Sequence, residues 1–389
     1  MANGSCNLGS VNLYAFVRNP FTPEAKFDTE RFKHVVRHMT WGLDELLTLL
    51  GDRHALPEQR AHVPLWREIG LGVMGLADLA LGMSVAYGSE PFIELLDEIM
   101  KDMANAAAQA SALRAKELGT FERYDYDFIS ESEFFQTAYT KETQDMIKEH
   151  GLRNSRILSI APTGSISNVL GVSGGVEPFF MLGYNRTIQS MFEAEKTITV
   201  WEKTPKALAA HLKADSIEEL PEWAKVTSQN IDFSQRAVVQ ATIQKYVDTA
   251  ISSTFNLPNE ATVQDIVNIY YKAHDYGLKG ATVFRDNCAK IGILSGMGGW
   301  EADKNAAVPP TIEVDEFWKD LETGEIKRKN YNFKPEGDAV QTILTPPQLS
   351  VVHNNELIDI CPVCGEPLVK RNGCTECISN ECDYSKCDI

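Results

Sequence analysis

A chain of 389 residues can bury a large core without disulfides, and its length fits one large domain with an appendage or two ordinary domains. Hydrophobic residues make up 43% and charged residues 23%, with 26 glycines and 17 prolines, a globular profile that excludes collagen-like, coiled-coil and wholly disordered chains. The formal charge of −17 argues against non-specific binding to nucleic acid or anionic membranes, but not against small phosphorylated ligands held by backbone dipoles.

The opening Met1-Ala2-Asn3-Gly4-Ser5-Cys6 has neither the basic end nor the apolar run of a signal peptide, and no later stretch reaches the roughly 18 apolar residues of a membrane span. The cytoplasm is the expected compartment, where cysteines serve as reduced thiols, metal ligands or redox catalysts. After an extended start, Phe32, Val35, Val36, Met39, Leu43, Leu46, Leu47 and Leu50 fall at helical spacing, and Gly51 ends the run. The segment from Trp66 to Met83, Gly-spaced and apolar almost all round, reads as a helix deep in a core. From Glu90 to Leu118 an Ala, Met and Leu-rich stretch predicts a long helix, started by Ser89 and Pro91 and stopped by Gly119. Ser155 to Ile160 reads as a short buried strand running into the small-residue loop Pro162 to Ser167. Thr262-Val263-Gln264-Asp265 has the form of a capping box opening a helix to about Tyr276, with Gly277 at its C′ position and a strand over Leu278 to Arg285. Alternation of this kind indicates an α/β core. The pattern then weakens, and three parts are expected: residues 1–295 as the body, 296–358 as a partly ordered linker, and 359–389 as a cysteine-rich tail.

Several motifs bear on chemistry. Gly70-Leu71-Gly72-Val73-Met74-Gly75 matches the dinucleotide fingerprint, but the charged segment ahead of it makes a poor strand, so close packing through glycine is the preferred reading. Pro162, Thr163, Gly164, Ser165, Ile166 and Ser167 offer consecutive backbone N–H groups, three hydroxyls and a glycine at which a ligand can approach, the parts of a phosphate cradle; many Ser and Gly-rich turns bind nothing. The nearby Gly171 to Gly175 turn stands close enough to line the same pocket. Six of the eight cysteines lie between positions 361 and 387. Cys361-x2-Cys364 and Cys374-x2-Cys377 have the spacing of a tetrahedral zinc ribbon, and so short a segment would need metal to fold. Cys382 and Cys387 are either spare thiols, alternative zinc ligands, or a mobile dithiol that exchanges electrons with another site. Cys6 and Cys288, taken alone, read as small hydrophobes.

Four segments together resemble the catalytic subunit of ribonucleotide reductase, most closely its adenosylcobalamin-dependent class. They are Ser5 to Leu13; Ile69 to Asp78; Ala161 to Ser167 with Gly174-Gly175-Val176-Glu177-Pro178; and Asn256 to Thr262 leading to Gly280 to Asp286. The tail ending Tyr384-Ser385-Lys386-Cys387 is also similar. The resemblance implies the C-terminal part of a ten-stranded α/β barrel, as in glycyl-radical enzymes, with a zinc-ribbon-like tail. It implies that Cys6 is one of two cysteines that reduce the substrate ribose and become a disulfide. It further implies that the Pro162 to Ser167 loop binds the substrate phosphates, and that Cys382 and Cys387 re-reduce the disulfide and are recharged by a thioredoxin- or glutaredoxin-like protein. Adenosylcobalamin is the implied cofactor and zinc the implied tail metal. The family's radical cysteine precedes the segment containing Cys6, so an N-terminal half of the reductase is an implied partner, and the assembled enzyme could form a homodimer. Tyrosines paired in the dimetal-dependent classes are absent at Val283-Phe284, which favours cobalamin. A dimetal-dependent fragment and a non-catalytic zinc-binding scaffold are the alternatives.

Overall fold

The computed structural model describes residues 4–188, 196–285, 312–319, 326–333, 368–371, 374–377 and 385–387. The chain divides into two units, Met1–Ala302 and Asp303–Ile389.

The first unit opens with β1 (Asn7–Asn12), the short hairpin β2 (Val17–Arg18) and β3 (Lys26–Phe27), α1 (Thr29–Leu50) and α2 (Pro57–Trp66). Then come β4 (Ile69–Met74), α3 (Leu76–Gly82) and α4 (Glu90–Leu118), followed by the small helices α5 (Tyr126–Ser130), α6 (Glu133–Ala138) and α7 (Lys141–His150). After α8 (Gly164–Leu170), the hairpin β5 (Gly183–Ile188) and β6 (Lys196–Trp201), α9 (Lys203–Leu212) and α10 (Phe233–Gln244), the unit closes with β7 (Thr254–Leu257), α11 (Val263–Asp275) and β8 (Thr282–Arg285). Among its described residues no helix is long and apolar enough to cross a membrane.

The strands that matter form one parallel ladder. β1 pairs with β4 in the register Asn7↔Ile69 to Asn12↔Met74. Beyond β4 lies the 157–160 segment, joined by the Leu71↔Leu158 bridge and by the Leu71 N–H donating to the Ile157 carbonyl at 2.8 Å. Residues 251–257 come next, through Ile160↔Ile251, and β8 pairs with β7 at the far side. Parallel order demands a crossover between each pair, and the intervening helices supply it.

The helices cover one face. Asn7 Nδ2 donates to the Leu43 carbonyl of α1 at 3.3 Å, and Phe32, Val36, Leu43 and Leu47 of that helix are buried. β4 is buried at every residue, and α4 adds Leu96, Met100 and Met103 to the same core. The opposite face is left open at β1, where Leu8 is 57% exposed.

The predicted bounds of α4 coincide with those observed, with Gly119 at its C-cap. The capping box at Thr262 is present, and Gly277 has φ +70°. The segment from Trp66 to Met83 differs from expectation: it is strand β4 followed by α3, not one helix. A strand buried on both sides loses the alternation that distinguishes it, so an apolar run with glycines reads equally as a buried helix. Gly70 and Gly72 therefore lie inside the strand instead of in a turn after it, and the fingerprint is no nucleotide loop.

A polar knot ties the ladder to its helices. Arg67, which precedes β4, donates from Nη2 to Asp44 Oδ1 of α1 at 2.7 Å and to Thr48 Oγ1 at 2.8 Å. Asn154 Nδ2 also donates to Asp44 Oδ1, at 2.9 Å, while Asn154 Oδ1 accepts from Ser111 Oγ of α4. Asp44, Ser111 and Asn154 are fully buried.

At the start of the 157–160 segment, Asp248 accepts from the N–H groups of Ile157 and Leu158 at 2.8 and 3.0 Å. Burial pushes its carboxyl up to about 6, against the pull of those two N–H groups and of Lys279 and Arg156. The folded chain thus holds this proton more tightly than the unfolded one, and the contribution to stability is full below about pH 4 and is lost as pH rises through about 6. Asp248→Asn is expected to flatten that interval of the stability profile, checked by urea midpoints between pH 4 and 7.

In the second unit, β9 (Ile312–Lys319) and β10 (Ile326–Phe333) pair antiparallel within the stretch read as linker. A separate antiparallel sheet has the order β11 (Leu368–Arg371), β12 (Cys374–Cys377), β13 (Ser385–Cys387).

Candidate functional site

Alternation along β1 sends residues 7, 9 and 11 toward α1 and residues 6, 8, 10 and 12 to the open face. A side chain at Gly9 would meet Met39 and Leu43, which confirms the first set. A Cβ at Gly70 would lie 2.6 Å from Leu8 Cδ2, 3.2 Å from Ser159 Cβ and 3.5 Å from Cys6 Sγ, which places all of these on the open face. At Gly72 it would lie 2.5 Å from the Ser159 carbonyl oxygen, so larger residues are excluded there by backbone. Cys6 thus stands beside Gly70, with Ser159 next to that glycine, and the small residues Ser10 and Gly72 continue the same face along the ladder.

Cys6 is exposed and free. It lies one register step before Asn7↔Ile69, which sets it level with Glu68. Partial burial raises its thiol above the usual range, the Glu68 carboxylate raises it further, and Arg156 works the other way. Glu68 is itself buried at 7% exposure; its Oε2 is 3.1 Å from His62 Nε2 and its Oε1 is 3.6 Å from Arg156 Nε.

The Pro162 to Ser167 loop lies at the other end of the ladder, beyond the carboxyl end of the 157–160 segment. Thr163 adopts φ +56°, a left-handed backbone that costs a β-branched residue about 1 kcal/mol or more. Its Oγ1 accepts from the Gly175 N–H at 2.7 Å, which fixes the strained residue against the second glycine turn. With that hydroxyl turned away, α8 has no side-chain cap, and the leading amides of Gly164, Ser165 and Ile166 have no intrahelical partner. All three residues are exposed, and nothing stands within 4 Å of a Cβ built on Gly164. Ser167 is buried and donates to the Gly164 carbonyl at 3.3 Å, leaving Ser165 as the exposed hydroxyl.

Two carboxylates that the resemblance segments contain without a role, the buried Asp78 and the partly exposed Glu177, hold this end together. Asp78 Oδ2 accepts from the Ser173 N–H at 2.7 Å and its hydroxyl at 2.8 Å, which joins α3 to the second glycine turn; burial raises this carboxyl above its ordinary range. Glu177 pairs with Arg236, 3% exposed, and its Oε1 accepts from the Thr254 N–H at 2.9 Å. Arg236 also donates to the Tyr87 hydroxyl, the Val176 carbonyl and Ser253 Oγ. The Val-Glu-Pro that follows two glycines was legible as a motif, but its arginine partner, 59 residues away, carried no local signal.

The structure does not bring Cys6 and the phosphate-loop candidates into contact; they occupy opposite ends of the strands. Of the tail candidates, Cys374 and Cys377 are the first and last residues of β12, and Cys374 registers with Cys387. Cys361, Cys364 and Cys382 lie outside the described residues, as does Cys288. Among the described residues no group of three or more His, Cys, Asp or Glu side chains converges as a metal site.

Residues 1–284 match the family described as ribonucleotide reductase, barrel domain. The chain belongs to the ribonucleotide reductase family. The vitamin B12-dependent ribonucleoside-diphosphate reductase of Thermoplasma acidophilum is 29% identical over 304 residues, covering 75% of this chain and 37% of that protein. The ribonucleoside-diphosphate reductase subunit alpha of Chlamydia pneumoniae is 29% identical over 322 residues, 73% of this chain and 30% of its own length. Among solved structures, the Actinobacillus ureae class Id ribonucleotide reductase alpha subunit aligns with a TM-score of 0.54 at 21% identity, covering 73% of this chain and 50% of that one, which is likeness of fold. The chain therefore spans well under half the length of these curated reductases.

Proposed function

We propose that this chain supplies the C-terminal part of a catalytic subunit that reduces ribonucleoside di- or triphosphates to their 2′-deoxy forms. The observation that carries the reading is the placement of Cys6 on the open, small-residue face of the ladder, with an uncapped, exposed amide turn at the carboxyl end of the same strands. Cys6 and a second thiol give up two electrons and two protons as they close to a disulfide, and the substrate loses its 2′-hydroxyl as water. The Pro162 to Ser167 loop receives the phosphates through the amides of Gly164 to Ile166 and the Ser165 hydroxyl. Cys382 and Cys387 return the electrons by thiol exchange with a thioredoxin-like protein as source.

The second reducing cysteine and the radical residue reside in an N-terminal half, which completes a ten-stranded barrel by pairing with the outer edges of β1 and β8. Among the described residues those edges have no strand partner, and an unpaired edge favours such addition. Cobalamin dependence follows the names of the relatives and the Val283-Phe284 sequence of β8. Adenosylcobalamin, when bound, supplies a radical. The described residues offer a small-residue floor but no set of groups that would grip a corrin, so no step here is assigned through it.

Nucleotide reduction with adenosylcobalamin and a dithiol, measured on this chain alone and mixed with an N-terminal half, tests the proposal. Activity in the mixture alone supports it. Association without activity until a metal-containing radical subunit is added would transfer the cofactor assignment, and no association would favour a degraded scaffold or a truncated fragment. For the tail, zinc held by Cys361, Cys364, Cys374 and Cys377 predicts about one metal per chain that survives Cys382→Ser but not Cys361→Ser, read by elemental analysis.

A further inference from the structure

We propose that Glu68, braced between His62 and Arg156, is a positioning residue for Cys6: the two residues immediately precede the paired starts of β4 and β1, and the Glu68 carboxylate sets when that thiol can react. The inference rests on the reading of Cys6 as a reducing cysteine and adds to it a control that the four resemblance segments do not contain.

The geometry is specific. Cys6 and Glu68 each immediately precede the Asn7↔Ile69 pair that opens the parallel β1–β4 ladder. The Ile69 N–H donates to the Arg156 carbonyl at 3.0 Å, which brings the arginine ahead of the 157–160 segment to the same level. A carboxylate as buried as Glu68 needs partners, and it has one on each oxygen: His62 at 3.1 Å on Oε2 and Arg156 at 3.6 Å on Oε1. The His62 side chain is 8% exposed, so Glu68 is held from behind by a buried group and from the side by Arg156, whose side chain is 44% exposed. Among the described residues, the charged groups acting on Cys6 are Glu68 on β4's approach and Arg156 ahead of the 157–160 segment; His62 of α2 lies behind Glu68, and His54 Nε2 lies 3.4 Å from Ser5 Oγ.

The chemical consequence follows from sign. A thiol reacts with electrophiles and disulfides as its thiolate. An anion beside Sγ disfavours that form, and the nearby guanidinium favours it; the net direction here is upward, with partial burial the largest cause and Glu68 next. Cys6 is thereby kept as S–H, the form that can hand over hydrogen, and is protected from premature alkylation or oxidation despite being exposed. Arg156 holds Glu68 in place and works against it on the thiol, limiting how far that group is pushed.

The test is the pH dependence of iodoacetamide alkylation of the Cys6 peptide, resolved from the other cysteines by mass spectrometry, on the full 389-residue chain. Glu68→Gln is expected to move the midpoint to lower pH and to raise the rate at pH 7 by about threefold or more, with the high-pH plateau unchanged. Arg156→Gln is expected to move it the opposite way. A variant that merely loosens the fold raises the plateau for both substitutions without opposite midpoint shifts. An unchanged midpoint in Glu68→Gln, or shifts of the same sign in both variants, overturns the inference. Because alkylation needs neither the N-terminal half nor a nucleotide, its outcome is separate from that of the reductase assay.

Discussion

Cys6→Ser is expected to abolish multiple turnover in the assembled enzyme. Serine keeps the size of the side chain and its place, but its hydroxyl can neither form a disulfide nor supply the one electron and one proton that Cys6 contributes to the two-electron reduction. Since Cys6 is exposed, the fold should scarcely notice, with a change in unfolding free energy within about 0.5 kcal/mol. Product formation over many cycles, measured beside a urea titration of the same variant, separates the two effects. Normal turnover would take Cys6 out of the electron path.

The largest loss of stability is expected from Asp44→Ala. Its carboxylate is fully buried and accepts from Arg67 Nε and Nη2 and from Asn154 Nδ2, so truncation leaves a guanidinium at 7% exposure without its counter-charge. Breaking a buried pair from one side costs about 3–5 kcal/mol. Asp44→Asn retains one acceptor and is expected to lose less than alanine does. Urea midpoints followed by tryptophan fluorescence give both values, and an alanine variant within about 1 kcal/mol of the parent would show that Arg67 finds other partners.

How much of this was legible depended on the range over which the responsible residues act. α4 and α11 could be read to within a residue or so because their stops and starts are local: Ser89, Pro91 and Gly119 for one, Thr262 with Asp265 and Gly277 for the other. β4 could not, because a strand buried at every position carries no alternation, and its glycines serve the neighbouring strands instead of a turn. The Pro162 to Ser167 loop was recognisable from its residue types, but its strained Thr163 and the divided use of its hydroxyls depend on Gly175 and Ser167 finding their places in the fold. Glu68 gave no sign in the sequence, since its meaning comes from a parallel register with a strand 62 positions earlier. The same holds for the Asp44 knot, whose members are up to 110 residues apart.

That knot also decides how the first unit breathes. Asp44 gathers α1, the approach to β4, the approach to the 157–160 segment and, through Ser111, α4, so none of these can open without surrendering the same buried carboxylate. Their amides belong to one cooperative block that exchanges hydrogen only through large-scale opening. α11 buries only Ile269 and Ala273 and presents Val263, Val267, Tyr270 and Tyr271 to solvent, so it sits at the low end of the local stability range. The unit is therefore graded, firm around the approaches to β4 and to the 157–160 segment and loose at the margin beside β8.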